Sequence, residues 1–493
     1  MPTRAIDLAV IAAYLAGITW FGARFRRRQR TLQDYFLGGK IVPWWAIALS
    51  IVSAETSTLT VIGTPVLAFQ GNYGFLQVVL GYLAARIVIS ALFLPAYFRG
   101  EMFTAYELMQ RRFGDRIRRL TAGTFLILRA LAEGVRVVAI SLVVSIVIGV
   151  GDKTSIAVIL CLTLFYTYEG GMTAVIWTDV VQMFIYVAGA AVSFFVILRE
   201  IPGGWGHVLA VAAPLNKFQV FDFRIGADFF SRTYTFWAGL IGGCFLTTAS
   251  HGTDQLMVQR LLAARDQRSS RAALMSSWVV IFIQFTLFLV IGTCLFTLYS
   301  DRHWTPPGVP DKLYPLFIWE HLPVGIAGLV IAAILAAAMS NLSAALNSLA
   351  SATVMDFWKP LSHQSPADEA SSNHDDANWL LRSRLVTVVW AGTLFGVAMF
   401  AREWGSVLEA GLSIASVLYG SLLGVFLLGL LTRRVGENAA MFGMCAGLAL
   451  ILYVKFETSI AWTWYVLIGT AATFLVGLAA SLVFNPARQS GDL

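Results

Sequence analysis

Several segments apolar enough to cross a bilayer carry side chains that can ligate an ion, pair charges or hydrogen-bond a small solute. Leu49 to Thr60, LSIVSAETSTLT, sets the carboxylate of Glu55 among serines and threonines inside an apolar run from Pro43 to Phe69. A second interruption, TTASHGTD from Thr247 to Asp254, places Thr247, Ser250 and His251 in another apolar run. Polarity of this density is costly in hydrocarbon, so each segment is expected to open locally around a polar site. The plainer possibility is a kinked helix whose hydroxyls bond back to its own carbonyls. A histidine in such a break can contact a ligand, act as a gate or respond to protons, or simply satisfy a neighbouring carbonyl. Asp179, within TAVIWTDVVQMFIY, is an intramembrane carboxylate and so a functional candidate by default. In RALAEGVR, spacings of four and three put Arg129, Glu133 and Arg136 on one helix face. An internal ion-pair ladder is the first expectation there; a guanidinium left facing a cavity could instead clamp a carboxylate, and Arg136 is chosen for that role. Bond-making chemistry is not indicated. The chain has no GxSxG or HExxH, and Ser250 next to His251 in sequence does not make a dyad, so no enzyme is expected.

The elements that must hold these residues follow from composition. The 493 residues are 58% hydrophobic and 13% charged, with mean hydropathy +0.72, which places the chain among polytopic membrane proteins. Apolar runs of about 18 or more residues, with one shorter run admitted, give about thirteen spans. They lie near 5-23, 43-69, 74-98, 120-149, 154-168, 173-198, 233-260, 272-299, 323-355, 382-401, 406-431, 437-455 and 461-484. The first is read as a membrane helix and not a cleaved signal, since no small-residue cleavage site precedes the arginine cluster after it. Basic residues gather in the loops holding Arg24 to Lys40, Arg111 to Arg119 and Arg260 to Arg271, all on one side if spans alternate. The positive-inside rule makes that side cytoplasmic, with the N-terminus outside and the C-terminus inside a plasma (inner) membrane. The net charge of +7 is therefore topological and does not imply nucleic acid. The partners expected are the lipid bilayer and a small-molecule solute. Cys161, Cys244, Cys294 and Cys445 share no ligand-like spacing and read as small core residues. The segment 362-380 is acidic and Ser-rich, and is expected to be a flexible linker. Two polar breaks five spans apart are the sequence sign of an inverted-repeat transporter with its site near the midplane.

These residues resemble the sodium/solute symporter family of sodium-coupled sugar, proline, iodide and vitamin carriers. The resemblance rests on DYFLGGK (34-40), PWWAIALSIVSAE (43-55), YEGGMTAVIWTDVVQ (168-182), GTDQLMVQRLLAAR (252-265) and GLVIAAILAAAMSNLSAALNS (328-348). It implies an all-α, leucine-transporter-like fold of two inverted five-helix repeats, here 43-198 and 233-431. One extra helix, 5-23, would come before them and two, within 437-484, after. It also implies a secondary active symporter that couples sodium entry to uptake of a small organic solute by alternating access. Proton coupling through Glu55, Asp179 or His251, a sugar or polyol carrier, and a non-transporting sensor are the alternatives.

By the same resemblance, sodium would be held by the carbonyls of Leu49, Val52 and Ala337 and the hydroxyl of Ser340. Asn341 stands where relatives usually carry a second hydroxyl. Asp179 and Ser343 would form a possible second ion site. Polar positions that meet a hexose in sugar-carrying relatives align approximately with Val79, Tyr82, Thr247 and Leu412, a set poorly suited to a sugar. The candidates for substrate contact are Thr56, Arg136, Thr247, Ser250, His251 and Ser413, and Arg136 suits a carboxylate-bearing solute.

Overall fold

The polar stretch at Leu49 to Thr60 does interrupt a helix. In the computed structural model, which describes residues 2–25, 40–99, 105–166, 171–358, 372–402 and 406–484, helix α2 (Trp44–Glu55) stops at Glu55 and α3 (Thr58–Gln70) starts at Thr58, at an angle of 64°. Thr56 (φ −84°, ψ 76°) and Ser57 (φ −77°, ψ 172°) leave helical geometry, the Thr56 amide still donating to the Val52 carbonyl at 2.8 Å. A second break follows the same plan. A π-helical turn, Ala238–Gly242, leads into α10 (Gly243–Gly252), and Asp254 (φ −81°, ψ 126°) starts α11 (Gln255–Leu262) by accepting the Leu256 amide at 2.9 Å. That aspartate is a helix N-cap within the membrane, satisfying a donor that the break exposes.

In chain order the remaining helices are α1 (Pro2–Phe25), α4 (Phe75–Val88, running on through Ile89–Phe93 to Leu94–Tyr97), α5 (Ala105–Phe113), α6 (Asp115–Ile148), α7 (Asp152–Tyr166), α8 (Gly171–Glu200) and α9 (Gly204–Ala212). Beyond the second break come α12 (Gln267–Asp301), α13 (Leu313–His321), α14 (Ile326–Ala352, with a π turn Thr353–Trp358), α15 (Ser372–Ala401), α16 (Val407–Leu431), α17 (Glu437–Glu457) and α18 (Tyr465–Phe484). Among the described residues, nine helices and the bent pair α2/α3 are long and apolar enough to cross a membrane. The expected runs at 154-168 and 233-260 appear as shorter pieces, α7 and the broken α10/α11.

Two packed groups enclose the site. One comprises α2/α3, α4, α10 and α12; the other α6, α7, α14 and α15. Helix α8 leans on both, touching α2 and α12 on one side and α14 on the other, while α16 spans α6, α10 and α3. The first group is sealed by glycines at helix crossings. A Cβ on Gly81 of α4 would meet the Gly239 carbonyl oxygen at 2.6 Å, and one on Gly292 of α12 would meet the Pro65 carbonyl oxygen of α3 at 2.1 Å. Small residues let membrane helices pack backbone to backbone where no hydrophobic effect drives them together.

The stretch 362-380, expected as a flexible linker, is helical from Ser372 onward. The first part of the stretch, 362–371, lies outside the described residues, as do Arg26 to Gly39 of the first basic loop and Tyr168 to Gly170 of the YEGGM motif.

Candidate functional site

Both helix breaks open on one cavity of about 160 Å³, against the roughly 10–15 Å³ one water needs by the same measure, so it admits a small organic solute. Residues of the first break (Glu55, Ser57 and Thr60) and of the second (Thr247, Ser250, His251 and Asp254) form two of its walls, Arg129 and Arg136 of α6 a third, and one face of α16 a fourth.

Its charges come in tied groups. The Glu55 carboxylate accepts from Arg86 Nη2 at 2.7 Å and lies 3.4 Å from His251 Nε2, so the two breaks meet there. Arg86 is fully buried, donating also to the Leu274 carbonyl, Ser277 Oγ and the Tyr82 carbonyl, which ties α4 to α12. His251 Nδ1 is 2.9 Å from Ser250 Oγ. In the second group, Asp179 Oδ2 of α8 accepts from Ser50 Oγ (2.7 Å) and Arg260 Nη2 (2.9 Å), and Arg260 Nε donates to Ser50 Oγ (3.0 Å). Helices α2, α8 and α11 are thereby joined. The third group is the α6 ladder, which forms as its spacing predicts. Glu133 Oε1 lies 3.1 Å from Arg129 Nε and in close contact with Arg136 Nη1. Arg129 also reaches toward Asp254 Oδ2 at 3.8 Å, and Tyr419 of α16 donates to that same oxygen at 2.7 Å.

The carboxylates Glu55, Glu133, Asp179 and Asp254 are thus matched one for one by the guanidiniums Arg86, Arg129, Arg136 and Arg260. An unpaired ion at this depth would be expensive, and an opposite charge beside each offsets part of the desolvation. Arg136 stands apart within the set. Its side chain lines the cavity and is 24% exposed, against 6% or less for the other three.

The expected substrate residues divide. Arg136, Thr247, Ser250 and His251 line the cavity. Thr56 is buried with its hydroxyl on Gln284 Oε1 of α12, at 3.2 Å, and Ser413 accepts from Lys455 Nζ of α17 at 3.2 Å; neither lines it. The face α16 shows the cavity runs through Leu408, Gly411, Leu412, Ala415 and Tyr419, and Ser413 falls off that stripe. Of the sugar-site positions, Tyr82 and Leu412 add bulk to the cavity wall and Val79 is buried outside it. For the cation, Asn341 lines the cavity, whereas Leu49 and Val52 on α2 and Ala337 and Ser340 on α14 do not; both helices pack on α8. Ser343 is buried on α14, and the partners of Asp179 are Ser50 and Arg260.

Arg86, Asp254, Arg260 and Tyr419 are the site residues that sequence reasoning missed. Arg86 carried a signal, as a cation in the uncharged run FLQVVLGYLAARIVISALFLPAY, and Asp254 was visible as an N-cap after a Gly-Thr stop. Tyr419 had none.

Phe75 and Phe285 also line the cavity, tilted against each other with centroids 5.1 Å apart, and Tyr234 meets Phe75 edge-on at 5.9 Å. Tyr234 donates to Glu409 in the first turn of α16. The strap before it is sewn to α4, with the Asp222 amide donating to Gln77 Oε1 at 3.0 Å. Arg224 beside Asp222 holds that part-buried carboxyl below its ordinary range.

A polytopic helical protein with two broken helices meeting at a charge-balanced cavity has the architecture of a secondary transporter. The chain belongs to the sodium:solute symporter family, whose profile matches residues 35–447; it is a multi-pass membrane transporter, not an enzyme, and sodium is its coupling ion. The sodium/sialic acid symporter SiaT of Proteus mirabilis (strain HI4320) is 28% identical over 499 residues, spanning 98% of this chain and 96% of the relative. The human sodium/iodide cotransporter is 30% identical over 444 residues, 88% of this chain and 66% of the relative. A solved structure of a Na+-coupled sialic acid symporter, substrate-bound and outward-open, matches with a TM-score of 0.81 at 27% identity, over 98% of this chain and 99% of that one. Mhp1, a nucleobase-cation-symport-1 family transporter, shares the fold at a TM-score of 0.56 and 14% identity, over 92% and 95% of the two chains.

Proposed function

We propose that the chain carries a small carboxylate-bearing solute together with sodium, by alternating access, with Arg136 receiving the carboxylate. The observation that carries this reading is the Arg136 guanidinium, the most exposed of the four and part of the cavity wall. A planar guanidinium matches a carboxylate in bidentate fashion, and such a pair is strong where water is scarce. Charge balance supports the coupling. Since the cavity's own ions cancel, an incoming carboxylate adds an uncompensated negative charge, and a co-bound sodium restores neutrality before the site moves through the membrane. Sialic acid, the substrate in the names of two relatives, and the monocarboxylates of others are both within this class.

For sodium we keep the carbonyls of Leu49, Val52 and Ala337 with Ser340 and Asn341, which would gather when α2 and α14 approach. Asp179 we read as a structural tie, since Arg260 already neutralises it, so the second ion site with Ser343 would require that pair to part. The basic loops favour the N-terminus outside and the α11 end of the cavity toward the cytoplasm. We keep residues 43-198 and 233-431 as the inverted repeats, supported by the two breaks that meet at Glu55 and His251.

Proton coupling is a second reading, favoured by the 3.4 Å approach of His251 to Glu55. A thermal-shift screen of purified protein against carboxylates, sugars and amino acids, with and without sodium, separates these readings. We expect stabilisation by a carboxylate only with sodium, and its loss in Arg136→Gln. A neutral sugar that stabilises equally without sodium would overturn the reading.

A further inference from the structure

The ion network below the cavity does more than balance charge, because one carboxylate in it has two claimants. Glu133 Oε1 is shared by Arg129 and Arg136, while Glu133 Oε2 and Arg129 Nη2 are buried without hydrogen-bond partners among the described residues. A carboxylate and a guanidinium on adjacent turns, each with an unused atom, form an incomplete pair; a fork-to-fork arrangement would satisfy both. What prevents it is division: Arg136 pulls Glu133 one way and Asp254 draws Arg129 the other, at 3.8 Å. Asp254 begins α11, the short helix below the second break, and Tyr419 fastens it to α16. The line of contacts from Arg136 to Asp254 therefore links the proposed substrate position to the helix that lines the cavity with Leu256, Met257 and Arg260.

We propose that Glu133 is a substrate-operated positioning residue, which releases α11 when a carboxylate occupies Arg136. This rests on the reading of Arg136 as the carboxylate receptor. In the structure Arg136 holds Glu133, and Arg129 spans Glu133 and Asp254. A substrate carboxylate competes with Glu133 for Arg136. Displaced, Glu133 turns to Arg129 and closes the bidentate pair that its unused oxygen and Arg129 Nη2 now lack. Arg129 then withdraws from Asp254, which keeps only Tyr419 and the Leu256 amide, and α11 loses its charged tie to α6. No proton moves and no covalent bond changes; three ionic contacts exchange partners. Because each exchange is an equilibrium, the free energy the substrate supplies at Arg136 is what weakens the tie at Asp254, and a solute without a carboxylate would bind without releasing it.

The test uses the full chain in proteoliposomes, with sialic acid and pyruvate as probes. For Glu133→Gln the proposal predicts opposite movements. Probe affinity rises about tenfold as Arg136 loses its charged competitor, while the maximal uptake rate falls about tenfold because Arg129 is never drawn back from Asp254. A merely structural role would weaken both together, and that outcome overturns the proposal. Asp254→Asn supplies a second arm that needs no organic probe. With the tie to Arg129 broken in advance, sodium-22 influx without substrate should rise at least several-fold over the native protein, and unchanged influx contradicts the relay. Arg136→Gln separates this failure from failure of the underlying reading. If that variant binds the probes like the native protein, the carboxylate site itself is wrong and the relay falls with it; if it loses binding while Glu133→Gln fails to split affinity from rate, the relay alone is overturned.

Discussion

Asp7 shows how one buried carboxylate can fix two helices. It is fully buried, and its Oδ1 accepts the amides of Gly325 (2.7 Å) and Gly328 (2.9 Å) at the start of α14, while Oδ2 pairs with Arg4. Asp7→Ala should destabilise the protein by about 2–3 kcal/mol, read as a lower Tm in detergent, and Asp7→Asn by less. Asp311, in the short turn Pro310–Lys312 outside the spans, makes a pH prediction. Its Oδ2 caps α16 through the Val407 amide at 3.0 Å, and Oδ1 is buried without a partner among the described residues. Burial, with Glu409 nearby, pushes its pKa up to about 6, Val407 opposing; Lys312 is drawn away to Asp152. A raised carboxyl pKa means the folded state binds the extra proton, so stability should fall as pH rises from about 4 through about 6 and level off above. Asp311→Asn should flatten that slope, and an unchanged Tm-versus-pH curve in the variant would refute the assignment. At this scale the sequence was informative about what its side chains can do and less so about whom they meet. The ladder of Arg129, Glu133 and Arg136 is local and follows from helix periodicity, whereas Arg86 to Glu55 and Arg260 to Asp179 join residues far apart in the chain, which no spacing rule reaches.

The helices themselves were legible because bilayer thickness fixes their length, and both interruptions were legible because hydrocarbon tolerates so much polarity only where a helix opens or faces a cavity. The direction in which each break sends the chain was not, since it depends on neighbours, as Asp254 depends on Tyr419. Packing between elements is dictated by glycines whose role is invisible until the crossings are seen. Gly292→Ala would drive a methyl into the Pro65 carbonyl, where backbone cannot yield, and should cost about 1–3 kcal/mol and separate α12 from α3. Gly396→Ala in α15 meets nothing within 4 Å and should leave Tm unchanged to about 0.5 kcal/mol. Equal effects of the two substitutions, measured by thermal unfolding in one detergent, would contradict this picture of the bundle. The helical start of α15 at Ser372 marks where composition misled: a polar, acidic stretch reads as linker, yet the backbone is helical from there.

For the whole molecule, two helix groups flank a cavity whose fixed charges cancel, with the aromatic cluster of Phe75, Tyr234 and Phe285 and the ties through Asp254 and Arg260 at its walls. Alternating access then means loosening one end while the other holds, and substrate and sodium favour the exchange only to the extent that they bind its states unequally. Reciprocity follows: the carboxylate must tighten sodium by the same factor that sodium tightens the carboxylate. The decisive measurement is uptake of labelled sialic acid and pyruvate into proteoliposomes under an imposed inward sodium gradient, an imposed proton gradient, or neither. Accumulation of a carboxylate is expected with the sodium gradient alone, abolished in both Arg136→Gln and Ser340→Ala. Full accumulation under the proton gradient without sodium would contradict sodium-coupled carboxylate transport.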